Sequence, residues 1–534
     1  MTTRTPKTKE GRFSNSLTQL NLSHCSFSGQ VPPDITLLHK LVSLDLSYNF
    51  VKLGPDVFIN MFRNFTNLEQ LSLAFVNISL ILPHSIFNLN SLETIDLSFN
   101  SFTGDIPSEI SANLTHLTWL DLSSNSLNGT LPSWLFTSPS LQYLDLSVNM
   151  FSGNVPFESF TLPSLQVLDL SRNNQLVGHS DVQTFRQLTN LTGLGLSQNN
   201  FSGEWELDTL LTSLKNLEWL DLSYSGFSVT TNNTNHYVNP GFWLLYMASC
   251  KLKVFPKSFR AMKQLKELDL SRNEIHGQIP HWAGEIGGNE LIYLNLSHNF
   301  ITGLQQFQWY GLQELYLQSN LIQGPFPLSI CNLSNLLDLD MSNNRFGGFI
   351  PQCFGNITWS FLMIDMGNNN FQGTIPNVYG DCGSLDGLSL NGNQLEGEVP
   401  SSLSKCSGLK VLDLGNNHLN GTFPSWLEGL PNLQALVLKS NNFHGHIQPS
   451  LTVESPFLSL RVLDLSHNGF VGQLPAKYFQ SFNSMKNVVK RSTPPEYLSM
   501  DYGNREFGLE EEEEETCLYR EMTLDNERFA DTDV

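Results

Sequence analysis

Charge is scarce in this chain of 534 residues. Asp, Glu, Lys and Arg make up 15% of it, and the basic kind is scarcer, 29 residues against 50 acidic, for a formal net charge of −21. A surface with that balance repels phosphate backbones, which excludes nucleic acid as a partner. Long apolar runs are missing too. The longest, Phe242–Ala248, falls far short of the roughly 20 residues a membrane-spanning helix needs, so no membrane span is expected. The opening MTTRTPKTKEGRF lacks the apolar core of a signal peptide. Gly (38) and Pro (25) are too ordinary for collagen-like or Pro-rich classes, and a 40% hydrophobic fraction excludes a disordered chain. Catalytic signatures are absent: no HExxH, no CxxC pair, no Walker loop and no kinase set. No enzyme, cofactor or metal site is therefore expected. His444 and His446 flank Gly445 at weak metal spacing and read as a surface loop.

What is present is a period. Chains of this length split into domains or repeat a small unit. LxxLxLxxN opens at Leu17, Leu41, Leu68, Leu92, Leu117, Leu141, Leu165, Leu191, Leu217, Phe242, Leu265, Leu291, Leu312, Leu336, Phe361, Leu385, Leu409, Leu433 and Leu460, nineteen times, most often 24 residues apart. In one copy, Leu117–Asn125, Leu120 and Leu122 alternate with polar residues, the pattern of a short strand with one buried face. Asn125 falls where the chain turns away, and its amide suits a ladder that satisfies buried backbone groups of stacked coils. Fifteen repeats carry Asn there; Cys25 and Cys250 replace it as expected buried thiols, and Val76 and Ser225 break it. Eleven repeats continue with Gly-x-(Ile/Val/Leu/Phe)-Pro, as in Gly129–Pro132, which predicts a second short strand. Phe27, Phe102, Phe151, Phe346, Phe371 and Phe443, two residues past the ladder position, predict a stacked core spine.

The pattern LxxLxLxxNxLxGxIPxxLxxL resembles the plant-specific leucine-rich repeat of receptor-like proteins, receptor-like kinases and polygalacturonase-inhibiting proteins. The segment Leu474–Lys486 is similar to the passage into the non-repeat island of disease-resistance receptor-like proteins. The fold class this implies is α/β: a plant-type leucine-rich-repeat solenoid, a curved superhelix with a concave parallel β-sheet, short second strands and 3-10 or helical turns on the convex side. Residues 1–16 are read as a remnant without a cap, 17–484 as the repeats, and 485–534 as an acidic, disordered tail. That tail holds Glu510–Glu515, and twelve acids against three arginines after residue 504. Family members span the membrane with their repeats outside the cell. This chain is accordingly read as an ectodomain fragment or truncated gene product whose exposed end leucines, such as Leu20 and Leu22, fray without caps.

Cys382 and Cys406 each lie three residues before their repeat's first Leu, so adjacent coils bring them within disulfide reach. Cys331 and Cys353 are less directly aligned, and free thiols are the alternative. Sequons occur at Asn21, Asn64, Asn77, Asn113, Asn128, Asn190, Asn200, Asn232, Asn295, Asn332, Asn356 and Asn420, which together with the resemblance favours a secreted glycoprotein. Asn21 and Asn295 stand between strand leucines, where a glycan is expected on the concave face. Asp recurs at that position in eleven repeats, including Asp96, Asp121, Asp145 and Asp169, and reads as repeat consensus.

The fold carries no chemistry of its own, and its broad sheet suits binding. Aromatics and an Arg at exposed strand positions mark the candidate ligand face: Trp119, Tyr143, Trp219, Tyr224, Tyr246, Arg272, Tyr293 and Tyr316. The irregular stretch Ser223–Asn239 predicts a looped-out insertion. The resemblance implies an extracellular module that takes a peptide, protein or glycan ligand and signals through adaptor and co-receptor kinases at the plasma membrane, in defence or development. A soluble enzyme inhibitor or decoy like the polygalacturonase inhibitors, or a non-functional truncated product, is the alternative.

Overall fold

Each repeat places its two alternating leucines on a three-residue strand, and each strand hydrogen-bonds to the strand of the next repeat. In the computed structural model this gives one parallel sheet of nineteen strands, from Gln19–Asn21 to Val462–Asp464. The structure describes residues 16–482 except 111–113, 235, 305–308, 355–361, 381 and 450–452; the expected tail, the first fifteen residues and the sequons at Asn113 and Asn356 lie outside these. Register never slips along the main sheet in the described pairs: Leu20 faces Leu44, Leu120 faces Leu144, Leu412 faces Leu436. A one-residue slip would turn every leucine to solvent, so burial itself enforces the register.

The leucines close one continuous core. Leu120, Leu122, Leu144 and Leu146 are fully buried, and each such side chain contributes roughly 1.5–3 kcal/mol. Phe102, Phe151, Phe346, Phe371 and Phe443 form the expected spine, but Phe27 is 49% exposed. It belongs to the first coil, which has no coil in front of it among the described residues. The same position leaves Cys25 exposed, against the expectation of a buried thiol, while Cys250 is buried.

The asparagine ladder is made as the repeat predicts. Asn149 Nδ2 donates to the carbonyls of Leu122, Leu146 and Ser147, and its Oδ1 accepts the amide of Leu127. Second strands follow, in a five-stranded sheet from Thr103–Gly104 to Asn200–Ser202 and a seven-stranded one from Gln323–Pro325 to Gly469–Val471. His444 and His446 lie on one of these strands, Asn442–His446, rather than on a loop. The far side of the coils is built of 3-10 turns, each entered through a proline such as Pro132 or Pro400. Longer repeats have room for true helix: the second carries Pro55–Asn64 and the eighth Leu207–Ser213. Sγ of Cys382 lies 1.99 Å from that of Cys406, and Sγ of Cys331 lies 2.07 Å from that of Cys353, so both pairs bridge adjacent coils. Among the described residues no helix is long and apolar enough to cross a membrane.

Candidate ligand-binding face

The residues between and before the strand leucines point to the open side of the main sheet. Two columns result: one runs Thr94, Trp119, Tyr143, Val167, Gly193, Trp219, and the other runs Asp96, Asp121, Asp145, Asp169, Gly195, Asp221. Trp119 and Tyr143 stack face to face, ring centroids 3.6 Å apart and planes 1° from parallel. Trp119 stays 40% exposed, and the Tyr143 hydroxyl donates to Asp145 Oδ2 at 3.2 Å. The stack is thus rigid, apolar and open on one side.

Trp219 is placed differently. Strand Gly193–Gly195 presents no side chains to the open face, and the Trp219 indole leans over it, its Cε2 2.1 Å from where a Cβ on Gly193 would stand. Asp169 covers Gly195 in the same way, its carboxylate oxygen 2.5 Å from the corresponding position. Trp219 therefore fills a notch and is half-buried, as Tyr143 is. Tyr224 stands on the rim, 44% exposed.

The remaining candidates form a second group. Rings of Tyr246, Tyr293 and Tyr316 meet in sequence at 6.1 and 5.8 Å. Their hydroxyls are engaged: Tyr246 donates to Glu267, Tyr316 to Glu314 at 3.5 Å, and Tyr293 accepts from Asn295 Nδ2 at 3.3 Å. Arg272 lies on the rim beside His298, whose imidazole is lowered by burial and by that guanidinium. Asn295 corrects an expectation. It is 2% exposed, and its Oδ1 accepts the Ser297 amide at 3.0 Å, so the position has no room for a glycan. Asn21, Asn77, Asn128, Asn190, Asn200, Asn232, Asn332 and Asn420 are exposed; Asn64 is half-buried against the Thr36 carbonyl.

The aspartates hold turns. Oδ1 of Asp121 accepts both the amide and the hydroxyl of Ser123, at 3.0 and 2.7 Å, and the motif recurs at Asp45, Asp96 and Asp464. The consensus reading was right about their regularity, yet their environment shifts them. Burial, with the charge of Asp145, pushes Asp121 up to about 7; burial, with Asp169, pushes Asp145 up to about 7; burial pushes Asp169 and Asp221 up to about 6.

Sequence reading missed one surface. His24, Tyr48, Phe75 and Phe99, each just before the ladder position, stack at 4.1, 4.9 and 4.3 Å along the rim of the first four repeats. All four adopt positive φ near 50°, which turns these bulky side chains outward. Reading down that single column, rather than along each repeat, is the signal that finds them.

Comparison with known proteins agrees with the repeat fold. The family description "Leucine rich repeat" matches residues 100–151 and 384–443, its two-copy form 139–187, and its single-repeat form 16–38, 264–285, 311–333, 335–357 and 459–480. Receptor-like protein 7 of Arabidopsis thaliana is 42% identical over 351 residues, 61% of this chain and 35% of that protein. The chain is a leucine-rich-repeat protein similar to the plant receptor-like proteins. It spans about a third of the length of the curated relatives it matches. Among solved structures, the chain is similar to the ectodomain of the Arabidopsis thaliana receptor kinase GASSHO1/SCHENGEN3, in complex with CASPARIAN STRIP INTEGRITY FACTOR 2 (TM-score 0.66, 28% identity, 85% of this chain and 59% of that one). It is also similar to the Arabidopsis receptor kinase HAESA, in complex with the peptide hormone IDA and the co-receptor SERK1 (TM-score 0.58, 29% identity, 86% and 71% covered).

Proposed function

We propose that this chain is the extracellular ligand-recognition part of a plant receptor-like protein, and that it takes a peptide along the open face of the main sheet between the fifth and ninth repeats, in defence or development signalling. The observation that carries this is the Trp119–Tyr143 stack. Rigid, half-exposed aromatics on an otherwise polar face supply most of the energy of typical interfaces. The neighbouring aspartates favour a ligand with apolar groups and some positive charge and disfavour a polyanion. HAESA is described with a peptide hormone and a co-receptor, and that likeness supports a peptide ligand and a co-receptor kinase here. An adaptor kinase joins the proposal by family resemblance. The two disulfides and the exposed sequons favour the outside of the cell.

The test is a random-peptide display selection on the intact chain, followed by titration of the enriched peptides against wild type and the Trp119→Ala and Tyr143→Ala variants. Enriched peptides should carry apolar and basic residues and lose about thirtyfold in affinity on each variant, the equivalent of about 2 kcal/mol. Peptides that bind both variants as tightly as wild type overturn the site.

A further inference from the structure

Four carboxylates stand in one unbroken file on the open face. Asp96, Asp121, Asp145 and Asp169 are register partners on four consecutive strands, and neighbouring strands lie about 4.8 Å apart. The file ends at Ser72 on one side and Gly195 on the other. Elsewhere Tyr246, Asn295, Tyr316, Ser389 and Val437 interrupt the column, and the longest other run is the pair Asp340–Asp365. One oxygen of each carboxylate in the file is held by the serine two residues on: Ser98, Ser123, Ser147 and Ser171. Oδ2 of Asp96 accepts the Ser72 hydroxyl and Oδ2 of Asp145 the Tyr143 hydroxyl. Glu93 directly precedes the first of these strands, Arg172 lies in the turn after the last, and Asp221 faces Asp169 across the glycine strand. The Trp119–Tyr143 stack rests on the middle of this file.

Like charges one strand apart at a half-buried surface repel strongly, and a proton held between neighbours removes the repulsion. We propose that this file is a proton-operated clamp on the recognition face: protonated, it holds the strands of the fourth to seventh repeats and the aromatic stack together; deprotonated, mutual repulsion loosens that stretch alone. The clamp's relevance to ligand capture rests on the reading of the open face as the ligand site; the clamp itself belongs to the fold and needs no ligand to be tested. The sign follows from linkage. Within the file, folded Asp121, Asp145 and Asp169 bind protons more tightly than unfolded aspartate, whose ordinary value is about 3.9, so the stabilisation is complete in acid and is lost as pH rises through about 6 to 7.

The experiment is hydrogen exchange of the intact chain at about pH 5 and about pH 8, corrected for intrinsic exchange rates. Peptides from 92–173 should lose about tenfold in protection at the higher pH. Peptides over the isolated carboxylate strand Val411–Asp413 should lose less, and those over Tyr293–Asn295 and Glu314–Tyr316 should not change. An Asp121→Asn, Asp145→Asn double variant keeps an acceptor for each serine amide, removes both charges, and should abolish the difference at 92–173. If that variant does not fold, the comparison of segments within wild type still decides. Equal loss at 92–173 and at Val411–Asp413 would assign the effect to burial alone and overturn the clamp, as would no change anywhere. A clamp that fails while selected peptides still need Trp119 leaves the ligand face standing; the converse result leaves the clamp standing.

Discussion

At the scale of single residues, the open face and the buried interior of a coil behave differently under substitution. Trp119 stacks on Tyr143 and is 40% exposed on the open face, so Trp119→Ala should leave the melting temperature within about 2 °C of wild type while weakening binding. Asn149 is the contrast. Its amide satisfies three buried carbonyls and one amide, and Asn149→Ala should cost about 3 kcal/mol, read as a lowered midpoint in urea unfolding. An unchanged midpoint would mean the ladder is ornamental. These roles were legible to different degrees. The ladder asparagine declares itself because the same residue returns in fifteen of the nineteen repeats. Trp219 did not declare its partial burial, because the cause is Gly193, one repeat away in space and 26 residues away in sequence. Asn295 misled for a like reason: its neighbours Tyr293 and Asp269 close over it only once the coils stack.

At the scale of elements, the insertion Ser223–Asn239 is fastened rather than loose. Asp208, 6% exposed on the helix Leu207–Ser213, accepts the Thr231 hydroxyl at 3.0 Å and the Asn232 amide at 2.8 Å, and His236 Nδ1 lies 3.4 Å from its other oxygen. The irregular sequence announced the insertion but not its anchor, which comes from the preceding repeat. Asp208→Ala should cost about 2 kcal/mol and open the segment to limited proteolysis near Tyr237. An intact band after digestion would show that the anchor is dispensable. The bridge Cys382–Cys406 closes a loop of 24 residues, and reducing or removing it should cost about 3 kcal/mol, measured as a lowered melting temperature of Cys382→Ser against wild type.

At the scale of the molecule, stability accumulates from neighbour to neighbour along the coils, so the first described coil should be the weakest. Leu17 is 39% exposed and Leu20 only partly buried, whereas the equivalent leucines of the central coils are fully buried. Nineteen strands and their register were legible because the period is nearly constant. Where it lengthens, the sequence told of extra residues without telling that they would wind into helix. Acidity acts on the whole as well. Asp121, Asp145, Asp169, Asp221, Asp340 and Asp413 all titrate above the ordinary carboxylate range because burial disfavours their charge, so the melting temperature should fall as pH rises from about 5 to about 8. A rise over that interval would contradict the buried-carboxylate account. The claim on which the functional reading turns is that a peptide lies on the open face between the fifth and ninth repeats. The most direct measurement is photo-crosslinking of a display-selected peptide to the intact chain, with the attachment points mapped by mass spectrometry. The account predicts attachment on the strands from Trp119–Asp121 to Trp219–Asp221. Attachment confined to the second strands or to the 3-10 turns on the far side would contradict it.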